Sequence, residues 1–313
     1  MSLEPKYLEL FVKATEKAAY GATKFIGKND KTAADQAAVD QMRKELNKID
    51  MDGKVVIGEG EMDEAPMLYI GEIIGRNKGQ KIDIAVDPLE GTNFVAKNMP
   101  NSFSVLAAAE RNNLFFAPDR YMEKIAIGPG LPKNLVDLDN SVEKNISNLS
   151  EAKNTTPDKI TVCILNRPRH AKFISSLKKL GVNLKLITDG DVSGVIYTVK
   201  DDSPVDMYLG IGGGPEGVLA AAALSCYDAQ IQTRLVLDKD ESIRAKKMGI
   251  SDLKRKYNIE DMIKGDVMFC ATAITSGDLL NGVKVSEKFY ETNTIALHKH
   301  GNVNTIYKNK YQK

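Results

Sequence analysis

The sequence predicts an α/β fold, and three observations predict it. Two stretches with helical periodicity come first, Leu3 to about Ile26 and Thr32 to about Leu46, separated by the breaker GKND at Gly27 to Asp30. Short β-type runs follow, each ending near Gly, Pro or acidic residues: VVIG from Val55, IDIAV from Ile82, SFSVLAAA from Ser102 and KIAIG from Lys124. From Ile160 onward strands and helices alternate: ITVCIL, a helix from about Arg169 to Leu180, LKLIT from Leu184, DMYLGI from Asp206, a helix from Pro215 and IQTRLVL from Ile231.

Between the two halves, the polar stretch from Asp139 to Lys153 reads as a surface helix or connector. It suggests a soft boundary, with a first half over 1–155 and a second half over 156–313 forming one integrated unit. The tail after Val285 is polar and lysine-rich and shows no catalytic pattern.

With 313 residues the chain can bury a large core without staples. Its three cysteines, Cys163, Cys226 and Cys270, are scattered in apolar surroundings and read as small buried hydrophobes rather than disulfides or a zinc cluster. The first twenty residues carry charges throughout and lack the apolar core of a secretory signal, and no apolar run approaches a membrane span, so the expected location is cytoplasmic. A net charge of +1 from 43 basic and 42 acidic residues, well mixed, argues against nucleic acid or a membrane as partner. An anionic ligand must then be recognised locally.

The strongest local signal is DPLEGTNF. Here Asp87 is expected to close a strand, Pro88 to bend the chain, and Glu90, Gly91 and Thr92 to form a tight turn. Two carboxylates on one turn suit Mg²⁺ or Mn²⁺, hard ions that prefer oxygen, while Gly91 admits a phosphate close to the backbone and Thr92 offers a hydroxyl. Upstream, VVIGEGEMDEAP sets Glu59 between two glycines directly after a strand, with Glu61, Asp63 and Glu64 behind it. For Asp63 and Glu64 a solvated loop is the better reading; for Glu59 a metal ligand is. Lys31 and Asp35 lie one turn apart at the start of the second helix and read alone as a surface ion pair. If that helix end faces the Asp87 to Thr92 turn, Asp35 and the Thr92 hydroxyl can orient and deprotonate a water.

The second half contributes LGIGGGPEGVL, a glycine-rich turn before a helix, where exposed N–H groups can bind phosphate oxygens and Glu216 stands in the first helical turn. Glu216 is read either as a complement to the helix dipole or as a further metal ligand, and the latter is preferred here. NRPRH puts Arg167 and Arg169 at a strand end, suited to clamping phosphate, and TDGDVSG puts Asp189 and Asp191 in an equivalent place, suited to sugar hydroxyls. The plain alternative for each is a helix cap or surface turn. His170 has no Ser or Cys nucleophile motif beside it and reads as structural or substrate-packing, Tyr121 as an ordinary core tyrosine, and His298 and His300 carry no assignment.

The motifs GKNDKTAAD, VVIGEGEMDEAPML, DPLEGT, APDRYMEKIAIGP, RPRH, TDGDVSG and GGGPEGVLAAAAL resemble, in order and spacing, those of the class II fructose-1,6-bisphosphatases, from the first helix to roughly Val285. The resemblance implies the lithium-sensitive phosphatase superfamily and its α-β-α-β-α sandwich. It implies metal ligands Asp35, Glu59, Asp87, Glu90 and Glu216, and catalytic roles for Lys31, Asp35 and Thr92. Substrate contacts are implied at Glu90, Gly91, Thr92, Tyr121, Arg167, Pro168, Arg169, Asp189, Gly190, Asp191 and Gly213. The implied reaction removes the 1-phosphate of fructose 1,6-bisphosphate in gluconeogenesis, with Mg²⁺ or Mn²⁺, in a homo-oligomer of two or four chains. Two rivals stay open: a superfamily phosphatase for sedoheptulose 1,7-bisphosphate, inositol phosphate or a nucleotide phosphate, and an inactive sugar-phosphate-binding regulator.

Overall fold

The computed structural model describes residues 2–60, 67–116, 120–247 and 249–313. Glu61, Asp63 and Glu64 therefore lie outside the described residues. In chain order the elements are α1 (Lys6–Ala22), α2 (Lys31–Leu46), β1 (Asp52–Ile57), β2 (Ile73–Ile74), β3 (Lys81–Glu90), α3 (Thr92–Ala96) and β4 (Phe103–Glu110). Then come β5 (Tyr121–Ile127), α4 (Val142–Ala152), β6 (Thr161–Leu165), α5 (Ala171–Lys179), β7 (Asn183–Ile187), α6 (Asp191–Ile196), β8 (Met207–Gly213) and α7 (Gly214–Ser225). The chain continues through β9 (Gln230–Val236), α8 (Lys239–Lys247), β10 (Tyr257–Asn258), α9 (Ile259–Met262), β11 (Val267–Ala273), β12 (Lys284–Val285), β13 (Phe289–His298) and β14 (Val303–Gln312). The α/β expectation holds, with two sheets and helices packed on each.

The chain divides into two compact units, 1–116 with 263–313 and 117–262. The boundary expected near residue 155 is thus drawn elsewhere. Strand β5, which precedes that point, pairs with β8 and β9, and β11 pairs with β4, so long-range pairing decides membership and chain position does not.

In the first unit, the described strands order as β12-β13-β11-β4-β3-β1-β2, with β14 pairing the other side of β13. Helix α1 lays Tyr7, Leu8, Phe11, Val12, Ala18, Ala19 and Ala22 against this sheet, the i, i+3/i+4 stripe of an amphipathic helix. Strand β11, VMFCATA, is buried along its whole length. It carries no alternation because both faces are covered. The polar tail, for which no element was expected, forms the β13–β14 hairpin. Its inward positions Thr292, Thr294, Asn309 and Tyr311 are polar because all donate to the fully buried Glu16 carboxylate of α1. That removes the apolar alternation by which a strand is recognised.

In the second unit the order is β10-β9-β5-β8-β6-β7, with β8, β6 and β7 parallel and the remaining pairs antiparallel. The alanine-rich α7 packs on β5, β8 and β9, and a separate apolar core gathers Ile125, Ile146, Leu149, Val162, Ile164 and Leu177. Cys163 and Cys270 are buried, and burial pushes the Cys163 thiol up to about 12. Among the described residues no helix is long and apolar enough to cross a membrane.

Candidate active site

In the first unit the acids cluster where parallel strands β1 and β3 leave the sheet. Ile57 pairs with Ala85, so Glu59 and Asp87 each stand two residues beyond the same rung of the ladder. The half-buried Glu59 is tied down by its own N–H, which donates to the Leu68 carbonyl at 3.0 Å. Strand β3 runs on through DPLE, where a turn was expected, and its pairing with β4 becomes irregular between Asp87 and Glu90. Pro88 explains the irregularity, having no N–H to give the ladder. Within the bulge Asp87 Oδ1 accepts the Leu89 N–H at 3.1 Å, and the Ser102 hydroxyl donates to the Glu90 carbonyl at 2.8 Å.

Glu90 itself is only 3% exposed. The turn is made at Gly91, in left-handed backbone at φ 76°, where a Cβ would lie 2.6 Å from the Phe94 ring; Thr92 then opens α3. Helix α2 is capped by Asp30, whose Oδ1 accepts the Ala33 N–H at 2.9 Å, and this leaves Lys31 exposed at its first position. Asp35, a turn further on, is half-buried, and burial pushes its carboxyl up to about 6. The Gly27 and Asn29 N–H groups donate to the Val95 and Ala96 carbonyls of α3, each at 2.9 Å, and α2 packs on both α3 and β3.

Glu59, Asp87, Glu90 and Asp35 offer only oxygen, the donor chemistry of a hard divalent cation rather than of zinc or copper. Burial to the degree of Glu90 favours such a use, since an ionised carboxylate there needs compensation. Among the described residues no three His, Cys, Asp or Glu side chains are drawn together into a finished cage. By donor chemistry the set fits the cation.

In the second unit the expected substrate residues meet at one end of the sheet. Parallel strands β6 and β7 end side by side, Leu165 opposite Ile187, so the RPR and TDGD turns are neighbours, and Arg167 Nη2 lies 3.8 Å from Asp189 Oδ1. Strand β5 begins where β8 ends, Tyr121 opposite Gly213. The Arg169 guanidinium sits over the Tyr121 ring at 4.9 Å from its centroid, while its Nε donates to the Ile211 carbonyl at 2.8 Å. Tyr121 is 52% exposed, so the core role expected of it does not hold; its ring is a platform. Gly213 lets Glu216 fold back over it, for a Cβ there would fall 1.9 Å from Glu216 Oε2. Pro168 starts a short 3-10 turn, and Gly190 caps α6 at φ 84°.

His170 is structural, as expected. It is fully buried, its Nδ1 is 2.7 Å from the Leu165 carbonyl and its Nε2 accepts the Ile211 N–H at 2.7 Å. These partners assign the neutral tautomer with the proton on Nδ1, in keeping with burial, which lowers its pKa. Asp191 departs from the plain picture of two acids facing a sugar. It is 6% exposed, and its Oδ2 takes a 2.5 Å hydrogen bond from Lys124. Lys124 had no place among the candidates, though a lysine inside the apolar strand MEKIAI is a signal in itself, since a buried ammonium requires a partner.

The family described as bacterial fructose-1,6-bisphosphatase, glpX-encoded, matches residues 6–310. The chain belongs to that family. It is 42% identical over 302 residues to the fructose-1,6-bisphosphatase 1 class 2 of Escherichia coli K12, covering 92% of this chain and 89% of the relative. To the fructose-1,6-bisphosphatase class 2 of Haemophilus influenzae it is 40% identical over 301 residues, covering 92% and 90%. Among solved structures, CysQ from Bacteroides thetaiotaomicron, a bacterial member of the inositol monophosphatase family, aligns with a TM-score of 0.37 at 17% identity, over 65% of this chain and 79% of that one. Membership in the bisphosphatase family makes this chain an enzyme, a phosphatase.

Proposed function

We propose that this enzyme hydrolyses the 1-phosphate ester of fructose 1,6-bisphosphate to fructose 6-phosphate and inorganic phosphate, in the cytoplasm and in gluconeogenesis. The observation that carries the reaction is the family match over nearly the whole chain, and the grouping of phosphate- and polyol-binding side chains at one sheet end supports it. Asp35, Glu59, Asp87, Glu90 and Glu216 are proposed ligands of Mg²⁺ or Mn²⁺, which when bound supplies positive charge against the charge developing on the phosphoryl and leaving oxygens.

Asp35 accepts the Thr92 hydroxyl proton in a hydrogen bond, and the Thr92 oxygen accepts from the attacking water and aligns it with phosphorus. The water oxygen forms the new P–O bond as its proton passes by way of the Thr92 hydroxyl to Asp35. The bond to the sugar oxygen breaks, and that oxygen leaves with the electron pair and takes up a proton from solvent, to which Asp35 returns its own. Lys31 offsets phosphate charge, while Glu90, Gly91 and Thr92 border the ester. Arg167, Pro168 and Arg169 clamp the other phosphate; Asp189, Gly190 and Asp191 accept sugar hydroxyls; Tyr121 and Gly213 complete the contact. The resemblance also supports a homo-oligomer of two or four chains.

The test is phosphate release from fructose 1,6-bisphosphate by metal-stripped protein with Mg²⁺ or Mn²⁺ restored, beside Thr92→Ala. Restored activity that Thr92→Ala lacks supports both reaction and site. Better turnover of inositol monophosphate or sedoheptulose 1,7-bisphosphate would replace the substrate, and binding without phosphate release under any divalent cation would leave the regulator reading.

A further inference from the structure

We propose that Lys124 is a positioning residue for the sugar phosphate: its ammonium, sealed within the second unit, fixes and neutralises the Asp191 carboxylate of the TDGD turn. The proposal rests on the reading above that this turn receives the sugar.

Lys124 lies in the middle of β5 with no exposed surface, opposite Gly210 of β8 and Thr233 of β9. Its Nζ is 2.5 Å from Asp191 Oδ2, at the first residue of α6. The glycine-rich segment makes room for this pair. A Cβ on Gly212 would fall 1.6 Å from Asp191 Oδ2. Part of what looked like a phosphate-binding glycine signature is therefore clearance for a buried ion pair. Tyr208 closes the surroundings; burial and the nearby Asp191 carboxylate push its phenol well up, so it stays a neutral neighbour.

Two physical arguments give the pair a purpose. A buried ion pair contributes little to stability compared with an apolar replacement of the same volume, so its presence in an apolar strand is not explained by folding alone. A sugar bisphosphate carries about three to four negative charges at neutral pH, and a bare carboxylate in its site would repel it. In the TDGD turn both acids carry a cation, Asp191 with Lys124 and Asp189 with Arg167 at 3.8 Å. The turn thus offers fixed acceptors to hydroxyl groups without adding net negative charge beside the phosphates.

The experiment compares Lys124→Met, Asp191→Asn and the double variant for fructose 6-phosphate affinity by calorimetry, for KM and kcat, and for melting temperature. Each single variant is expected to weaken affinity and raise KM tenfold or more with kcat within threefold. The double variant is expected to be no weaker than Asp191→Asn, because Lys124 acts through that carboxylate. If Lys124→Met does not fold, the double variant, which leaves no uncompensated buried charge, is compared with Asp191→Asn alone. A further tenfold loss in the double variant overturns the proposal, as does unaltered affinity in any folded Lys124 variant. Should the unmodified protein bind fructose 6-phosphate yet release no phosphate, the reaction reading fails and the affinity comparison still decides Lys124; should it bind no sugar phosphate, both fall.

Discussion

The hairpin end of the first sheet and the turn end of the second both bury carboxylates, yet they satisfy them in opposite ways. In the first, Glu16 is met by Thr292, Thr294, Asn309 and Tyr311, and Asp266 by the Ser2 hydroxyl at 2.5 Å, the Leu3 N–H at 2.8 Å, His298 Nε2 at 2.9 Å and the His300 N–H at 3.0 Å. Several donors from distant parts of the chain use up the acceptor sites of each carboxylate, so each acid works as a staple. In the second, Asp191 and Asp189 face one lysine and one arginine. There a cation neutralises the charge, so the carboxylates stand beside a ligand without adding net negative charge. Hydrogen-bond donors drawn from distant segments meet the acids of the hairpin end, whereas cations meet the acids of the turn end.

The acids at the end of β3 test that distinction most strongly. Glu90→Gln keeps size and polarity but removes the charge that would hold a cation. Turnover is expected to fall about a thousandfold, matching the several kcal/mol a bound cation supplies to the transition state, with the melting temperature little changed. Steady-state kinetics beside thermal unfolding checks it. A folded Glu90→Gln protein with near-normal kcat would move Glu90 to the stapling class.

Asp266 is the opposite case. Burial alone would raise its carboxyl, but hydrogen bonds from Ser2, His298, His300 and Leu3 outweigh burial and hold it at about 2 against an ordinary 3.8. A depressed folded pKa means that the stabilisation is fully present above about 3.8 and is lost as pH falls through about 2; by linkage it amounts to about 2 kcal/mol. Asp266→Asn should therefore destabilise the protein by about 2 kcal/mol near pH 7, with the difference from the unmodified protein shrinking toward pH 2. Urea unfolding across that range, with kcat followed at neutral pH, reads the effect. A difference that does not depend on pH would show that packing, and not the charge of Asp266, fastens Ser2 and Leu3 to the sheet.

The same contrast explains what the sequence made legible. Helices α1 and α2 carry an apolar stripe, and the RPR and TDGD turns follow strand ends, so local chemistry announced them, whereas β3 runs on through DPLE and turns only at Gly91. The β13–β14 hairpin did not announce itself, because Thr292, Thr294, Asn309 and Tyr311 carry donors for Glu16 and so interrupt the apolar alternation that Tyr290, Ala296 and Tyr307 would otherwise show. Strand β11 is covered on both faces and shows no period at all. The unit boundary was hidden because β5 chooses its partners, β8 and β9, from far along the chain. Lys124 was visible as a letter but not as a site residue, since nothing in the sequence places residue 124 beside residue 191. Tyr121 was misjudged because burial is the default for a tyrosine, whereas its place at the strand's first residue leaves half the ring open.

That open ring yields the smallest predicted effect and the finest test of how the second unit prepares its cations. Arg169 is held from two sides, by the Tyr121 face at 4.9 Å and by the Ile211 carbonyl at 2.8 Å. Removing the aromatic face leaves the hydrogen bond, so the guanidinium loses orientation but not its place. At a half-exposed site a cation over a ring is worth about 0.5–1 kcal/mol, so Tyr121→Leu should raise KM for the bisphosphate about two- to fivefold, with kcat and melting temperature unchanged. Tyr121→Phe keeps the face and should keep KM. If Phe proves as damaging as Leu, the phenol hydroxyl is what matters, and Tyr121 contacts substrate directly instead of aligning Arg169.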